Sequence, residues 1–262
     1  MVNQPRRVRD QFAGRVWRVR ALLVIADIGG YTKFMTVHRI NLAHAQYVVA
    51  QLLESVIDAA APKYELAKLE GDAAFFYAKL PDTPKEHELA AFSERIVKIR
   101  TAFIDRRAEL EINRVCSCDG CVQASKLTLK FVSHLGEVAL QKVKHFTELA
   151  GVDVITVHRF LKNSVTVPEY VLMSTPVFER LDPEMKVLAE PMKEHLEGLG
   201  EVDTHVVDLQ KAVQRAGQAT PSRLRAWLGW LKMTWRSLPY FLGLKKSCDG
   251  FKTLPAIQGR EP

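Results

Sequence analysis

The feature that most constrains this chain is the run Ala21-Leu22-Leu23-Val24-Ile25-Ala26, six apolar residues halted by Asp27 and followed at once by Gly29 and Gly30. A short unbroken apolar run with turn residues behind it reads as a strand buried on both faces. The carboxylate at its end then sits where the strand leaves the core. Two successive glycines let the backbone turn sharply there and expose its amides. Six residues are too few for a signal-peptide core or a membrane span, so the expected location is cytoplasmic.

Charge position divides the 262 residues. Residues 1–20 hold six arginines against one aspartate, and residues 211–262 hold ten Lys or Arg against Asp249 and Glu261, which leaves −6 on residues 21–210 of a chain whose total is +7. The basic character belongs to the ends, and it is poor evidence that the body binds nucleic acid. Nucleic acid is not an expected partner. The expected organisation is a basic arm over 1–20, a globular domain over 21–212 and a basic Trp-rich extension over 213–262.

Periodicity supplies the elements. Ala43 to Ala60 has helical spacing and is closed by Pro62, and Tyr64–Leu69 and Ala73–Tyr77 read as strands joined at Glu70-Gly71. Glu86 to Ile112 is an amphipathic helix. Leu127–His134 is an alternating strand broken by Gly136, with a further strand over Glu137–Phe146. A helix over Asp153–Leu161 and strands at Tyr170–Ser174 and His205–Leu209 complete the set. This order implies an α+β fold with helices on one face of a mostly antiparallel sheet.

Asp27 at a glycine-turned strand end and Asp72 beside a hairpin turn are two carboxylates that neighbouring strands can bring together. Paired carboxylates beside exposed amides suit Mg²⁺ and a phosphate chain. Either aspartate alone is ordinary turn chemistry.

Five segments in order resemble the class III nucleotidyl cyclase catalytic domain: Asp27-Ile28-Gly29-Gly30-Tyr31-Thr32, Lys68-Leu69-Glu70-Gly71-Asp72, His134-Leu135-Gly136, Glu148-Leu149-Ala150-Gly151 with Arg159, and Gly198-Leu199-Gly200. The resemblance spans residues 21–210 and implies a ferredoxin-like cyclase-homology domain. It implies that Asp27, Asp72 and the carbonyl of Ile28 hold Mg²⁺, Mn²⁺ or Ca²⁺ against a nucleotide triphosphate. Gly29, Gly30, Tyr31 and Thr32 would cradle the phosphates with Ile28. Lys68 and Glu148 would select adenine, the lysine donating to a ring nitrogen and the acid accepting from the amino group. The less favoured reading is the same fold with no ligand, in which Lys68 and Glu148 form an ordinary surface ion pair and Arg159 is solvated. The resemblance also implies a homodimer.

Two departures bear on catalysis. Ile155 stands where the family has an asparagine one turn before Arg159, and Glu197 stands where it has a phosphate-contacting lysine. Isoleucine offers no hydrogen bond, and a carboxylate beside a triphosphate repels it. Loss of one transition-state contact costs about 10² to 10³ in rate. The expectation is an adenylyl cyclase-like protein that binds ATP with a divalent metal and has little or no cyclase activity, a pseudoenzyme serving as sensor or regulatory module. An active cyclase making cyclic AMP and pyrophosphate is the alternative.

Two features fall outside this pattern. Cys116, Cys118 and Cys121 crowd into one loop, and zinc there needs a fourth ligand such as Cys248 or His145, the other reading being a polar thiol loop. Arg223 to Lys246 carries Trp227, Trp230 and Trp235 with six basic residues and no acidic one. That composition fits a helix lying on the inner membrane surface, where the protein would act as a scaffold, and fits equally a helix packed on the body.

Overall fold

The computed structural model describes residues 16–37, 42–81, 89–112, 124–144 and 146–215. The first fifteen residues, the loop with Cys116, Cys118 and Cys121, His145, and the Trp-rich extension from residue 216 lie outside the described residues. In chain order the elements are β1 (Val16–Gly29), α1 (Tyr31–Val37), α2 (Leu42–Ala60), β2 (Glu65–Glu70), β3 (Ala73–Leu80), α3 (Ala90–Ile112), β4 (Thr128–Val143), β5 (Phe146–Ala150) and α4 (Val152–Arg159). After these come β6 (Tyr170–Ser174), α5 (Thr175–Phe178), α6 (Pro183–Lys186), β7 (Glu190–Leu196), β8 (Gly200–Asp208) and α7 (Leu209–Arg215).

One sheet runs β2-β3-β1-β4-β6-β8-β7, with β5 paired to β4 beside this path. Every pairing is antiparallel except β4 with β6. The apolar run is its axis, because Ala21 to Ala26 are each at most 1% exposed, as a strand covered on both faces requires. β1 nevertheless starts at Val16, where no apolar pattern marks it. Val16–Arg20 is held by ladder bonds to Glu137–Gln141 rather than by burial.

Alternation along β1 sorts the core into two layers. Leu22, Val24, Ala26 and Ile28 join Leu52 and Val56 of α2 and Ile96, Ile99 and Phe103 of α3 on the first face. Leu23 and Ile25 join Phe75, Val132, Leu172 and, from α4 and the residue after it, Val157 and Phe160 on the second. The expectation that helices cover one face holds for α2 and α3 and for α1, α5, α6 and α7, which place Phe34, Val177, Met185 and Leu209 in the same first-face core. α4 crosses to the opposite face because its apolar residues meet the odd-numbered side chains of β1.

Three strand boundaries also differ. β4 runs unbroken through Gly136 to Val143, so the strand expected over Glu137–Phe146 is its second half, and β5 is a separate return strand. Gly136 marks a close approach: a Cβ there would lie 2.2 Å from the Asp153 carboxyl carbon. β7 was not expected, since its exposed positions Glu190, Pro191 and His195 break any apolar alternation. Its partner β8 begins at Gly200 rather than His205.

Candidate functional site

The carboxylates of Asp27 and Asp72 belong to one corner of the sheet. Asp27 lies opposite Ala73 in the β1–β3 ladder, and the Ile28 amide donates to the Asp72 carbonyl at 3.2 Å. This bond closes the β2–β3 turn onto the end of β1. Burial, reinforced by the charge of Asp27, pushes the Asp72 carboxyl up to about 6 from its ordinary 3.8. A desolvated acid pair of this kind gains from any cation that joins it.

The chain supplies one such cation. Lys130 of β4 stands directly across the ladder from Asp27, its Nζ 2.9 Å from Asp27 Oδ2, with both side chains largely buried. Burial works against the ammonium. The hydrogen bond and charge of Asp27, helped by Tyr170 and Asp72, prevail and hold it above the ordinary lysine value. Lys130 was not singled out in the sequence, because its role depends on a register between segments far apart in the chain.

The glycine turn lies next to the pair. A Cβ on Gly29 would lie 2.3 Å from Thr128 Oγ1, and Gly30 adopts φ +85°, so each position favours glycine for a different reason. The chain then enters α1 directly, where the Phe34 amide bonds the Gly30 carbonyl. The amides of Tyr31 and Thr32 precede that first intrahelical bond and have no partner within the helix. The Ile28 side chain is buried in the first-face core. Among the described residues no group of three or more His, Cys, Asp or Glu is placed to hold a metal ion. Two carboxylates and a carbonyl fit the sparse protein contribution of a Mg²⁺ site completed by a ligand's phosphates.

The remaining expected residues are distributed differently. Lys68 is exposed on β2 beside a bulge, in register with Phe75 and hence on the second face. Glu148 is exposed on β5, where its neighbour Leu149, not Glu148 itself, joins the second-face core. The structure does not join Lys68 and Glu148 in an ion pair. Ile155 is 51% exposed on α4. Arg159 Nη1 donates to Glu197 Oε2 at 2.5 Å, so the retained arginine and the substituted lysine position contact each other.

Two histidines fasten α4 to the sheet. His134 Nε2 lies 3.0 Å from Asp153 Oδ1, and the Glu137 amide donates to Asp153 Oδ2 at 2.7 Å across the space that Gly136 leaves open. His158 Nε2 lies 3.1 Å from Glu70 Oε2, and its ring meets Phe75 edge-on at 4.9 Å. His158 is thus packed and hydrogen-bonded within the domain. A separate open cleft of about 640 Å³ lies along the first half of β1, lined by Arg18, Arg20, His134, Gly136, Asp153 and Pro176 among others. It includes neither Asp27 nor Asp72.

Comparison with known proteins gives three kinds of similarity. A family described as a protein of unknown function, DUF2652, matches residues 49–170. The uncharacterized protein Rv2561/Rv2562 of Mycobacterium tuberculosis (strain ATCC 25618 / H37Rv) is 46% identical over 216 residues, covering 82% of this chain and 98% of its own length. The guanylyl cyclase Cya2 matches with a TM-score of 0.58 at 13% identity, covering 74% of this chain and 93% of its own. The adenylyl cyclase CyaB from P. aeruginosa gives 0.56 at 14%, covering 74% and 96%. A class III adenylyl cyclase-like ATP-binding protein from Pseudomonas aeruginosa gives 0.54 at 15%, covering 71% of this chain and 41% of its own. At these identities the structural likeness is one of fold, and it is the fold that the order of the five sequence segments implies.

Proposed function

The chain belongs to the same family as the uncharacterized mycobacterial protein and has the class III nucleotidyl cyclase fold, and from this premise we propose that it binds ATP or another purine nucleotide together with a divalent cation while turning it over little or not at all. The observation that carries the proposal is the meeting of Asp27 and Asp72 beside the Gly29-Gly30 turn, with Asp72 pushed up to about 6. Such a pair is costly unless a cation joins it. A solved protein of this fold, of which the matched part is 41%, is described as ATP-binding, which supports the same reading.

In this reading Asp27, Asp72 and the Ile28 carbonyl hold Mg²⁺, Mn²⁺ or Ca²⁺. A bound divalent cation supplies charge neutralisation for phosphate oxygens and lowers the pKa of a nearby hydroxyl. Tyr31 and Thr32 offer amides to the phosphates, and Lys130 offers an ammonium beside them. Lys68 and Glu148 are proposed to read the purine. They extend from different strands and form no pair with each other, so both remain open to a ligand. The second-face position of Lys68 and the exposure of Glu148 are compatible with contributions across a homodimer.

Weak catalysis follows from α4. Ile155 presents a hydrocarbon side chain where a polar contact is needed, and Arg159 is held by Glu197. The retained guanidinium also keeps the second reading alive, an active cyclase that frees Arg159 when nucleotide arrives. The cyclase-homology domain is proposed to span 21–212, with the basic extension as a separate element for a membrane surface or a partner. Among the described residues no helix is long and apolar enough to cross a membrane.

The test is titration of the full chain with ATP, with and without Mn²⁺, followed by assay of the same samples for cyclic AMP and pyrophosphate. Metal-dependent ATP binding that is lost in Asp27→Ala and Asp72→Ala, without product, supports the proposal. Product at useful rates supports the cyclase, and no binding under any condition removes both.

A further inference from the structure

We infer that Glu197 is an internal anion that occupies Arg159 and sets the site against highly charged nucleotides, an inference that rests on the nucleotide reading above and names which ligands the site prefers. A guanidinium recognises carboxylates and phosphates with the same planar fork. Here one nitrogen of the fork is already engaged, with Arg159 Nη1 2.5 Å from Glu197 Oε2.

Both partners stand on elements whose positions are determined by other contacts. Arg159 ends α4, which is seated by Val157 in the second-face core and by the His134–Asp153 and His158–Glu70 contacts. Glu197 follows the buried Leu196 in the tight β7–β8 turn, where Gly198 and Gly200 adopt φ +81° and +83° and the Leu199 amide bonds the Leu196 carbonyl at 3.0 Å. The ion pair therefore spans two separately anchored pieces of the fold. Its carboxylate is 82% exposed, so an incoming ligand meets that negative charge directly.

A phosphate reaching Arg159 must either displace the carboxylate from Nη1 or bind the other donors with that carboxylate beside it. One turn back, Ile155 at 51% exposure offers only apolar contact. The α4 side of the site consequently rewards the uncharged part of a nucleotide and resists its phosphate chain. Affinity then rises less with each added phosphate than it would with a free arginine.

The test is a cycle of variants titrated with adenosine, AMP and ATP in the presence of Mn²⁺, using the full chain. Glu197→Gln keeps the shape and removes the charge. It is expected to tighten ATP about two- to fivefold, the range an exposed ion pair is worth, while adenosine changes less than twofold. Arg159→Gln is expected to weaken ATP little in the wild-type background and to abolish the gain in the Glu197→Gln background. An unchanged ratio of ATP to adenosine affinity in Glu197→Gln, with wild-type binding intact, overturns this inference alone. Equal losses from Arg159→Gln in both backgrounds overturn it as well, and failure of every form to bind any of the three ligands overturns the nucleotide reading and this inference together.

Discussion

Lys130 faces Asp27 across the β1–β4 ladder, with Nζ 2.9 Å from Oδ2. One ammonium thus neutralises one of two clustered carboxylates, and the second, Asp72, is left in a partly desolvated position close to a charge of its own sign. The electrostatics of the corner follow from this asymmetry.

Lys130→Met removes the neutralising charge and leaves Asp27 without its ion-pair partner. The metal-free protein is expected to lose about 1–3 kcal/mol at neutral pH, the cost of stranding a charge that has lost its hydrogen bond. Added Mn²⁺ should recover more stability in this variant than in wild type. Urea unfolding with and without MnCl₂ measures both, and equal midpoints in the two proteins would contradict the role given to Lys130.

The Asp72 carboxyl keeps its proton in the folded chain up to about pH 6, whereas the unfolded chain releases it near 3.8. Its contribution favours folding below about 3.8 and is lost as pH rises through 6, because the native state is the one that binds the extra proton in that window. Asp72→Asn should flatten this part of the stability profile and gain on wild type above pH 6 in metal-free buffer. Parallel profiles for the two proteins between pH 4 and 7 would count against the raised value.

Gly136→Ala places a methyl group against the Asp153 carboxyl, whose carbon lies 2.2 Å from that point. Overpacking of this kind costs about 1–3 kcal/mol and should push Asp153 off His134 and the Glu137 amide. Asp153→Gly in the same chain removes the carboxyl and also the Asp153 Cβ, which lies 2.5 Å from the same point, so the double variant should be less destabilised than the sum of the singles. Chemical denaturation of the four proteins decides it.

Ile155→Asn combined with Glu197→Lys restores a polar contact on α4 and frees Arg159. Cyclic AMP formation with Mn²⁺ and ATP is expected to rise at least about tenfold over wild type, a fraction of the 10² to 10³ that one transition-state contact is worth. No product from the double variant, in a preparation that still binds ATP, would mean that more than these two positions separate the chain from catalysis.

Much of the fold could be read from sequence because its central elements are locally consistent. Ala21–Ala26 has no polar residue to leave exposed, and α2 and α3 carry apolar side chains at helical spacing. Elements defined by pairing alone were less legible: Val16–Arg20 and β7 are strands because a neighbour supplies hydrogen bonds, not because their residues alternate cleanly. Asp27 and Asp72 were legible as candidates from their glycines. Lys130 was hidden because nothing near residue 130 refers to residue 27. The contact of Arg159 with Glu197 was hidden for the same reason, although each had been marked separately.

The long β1–β4 pairing has a consequence for how the protein is made. Asp27 and Lys130 meet across about a hundred residues of chain, and contacts of that span form slowly because the intervening loop must be closed before they bring any return. During synthesis, then, the apolar run of β1 leaves the ribosome long before its central partner exists. Until β4 arrives, β3 can cover only the other flank of that strand, and the edge that awaits β4 stays open to pairing with a wrong neighbour.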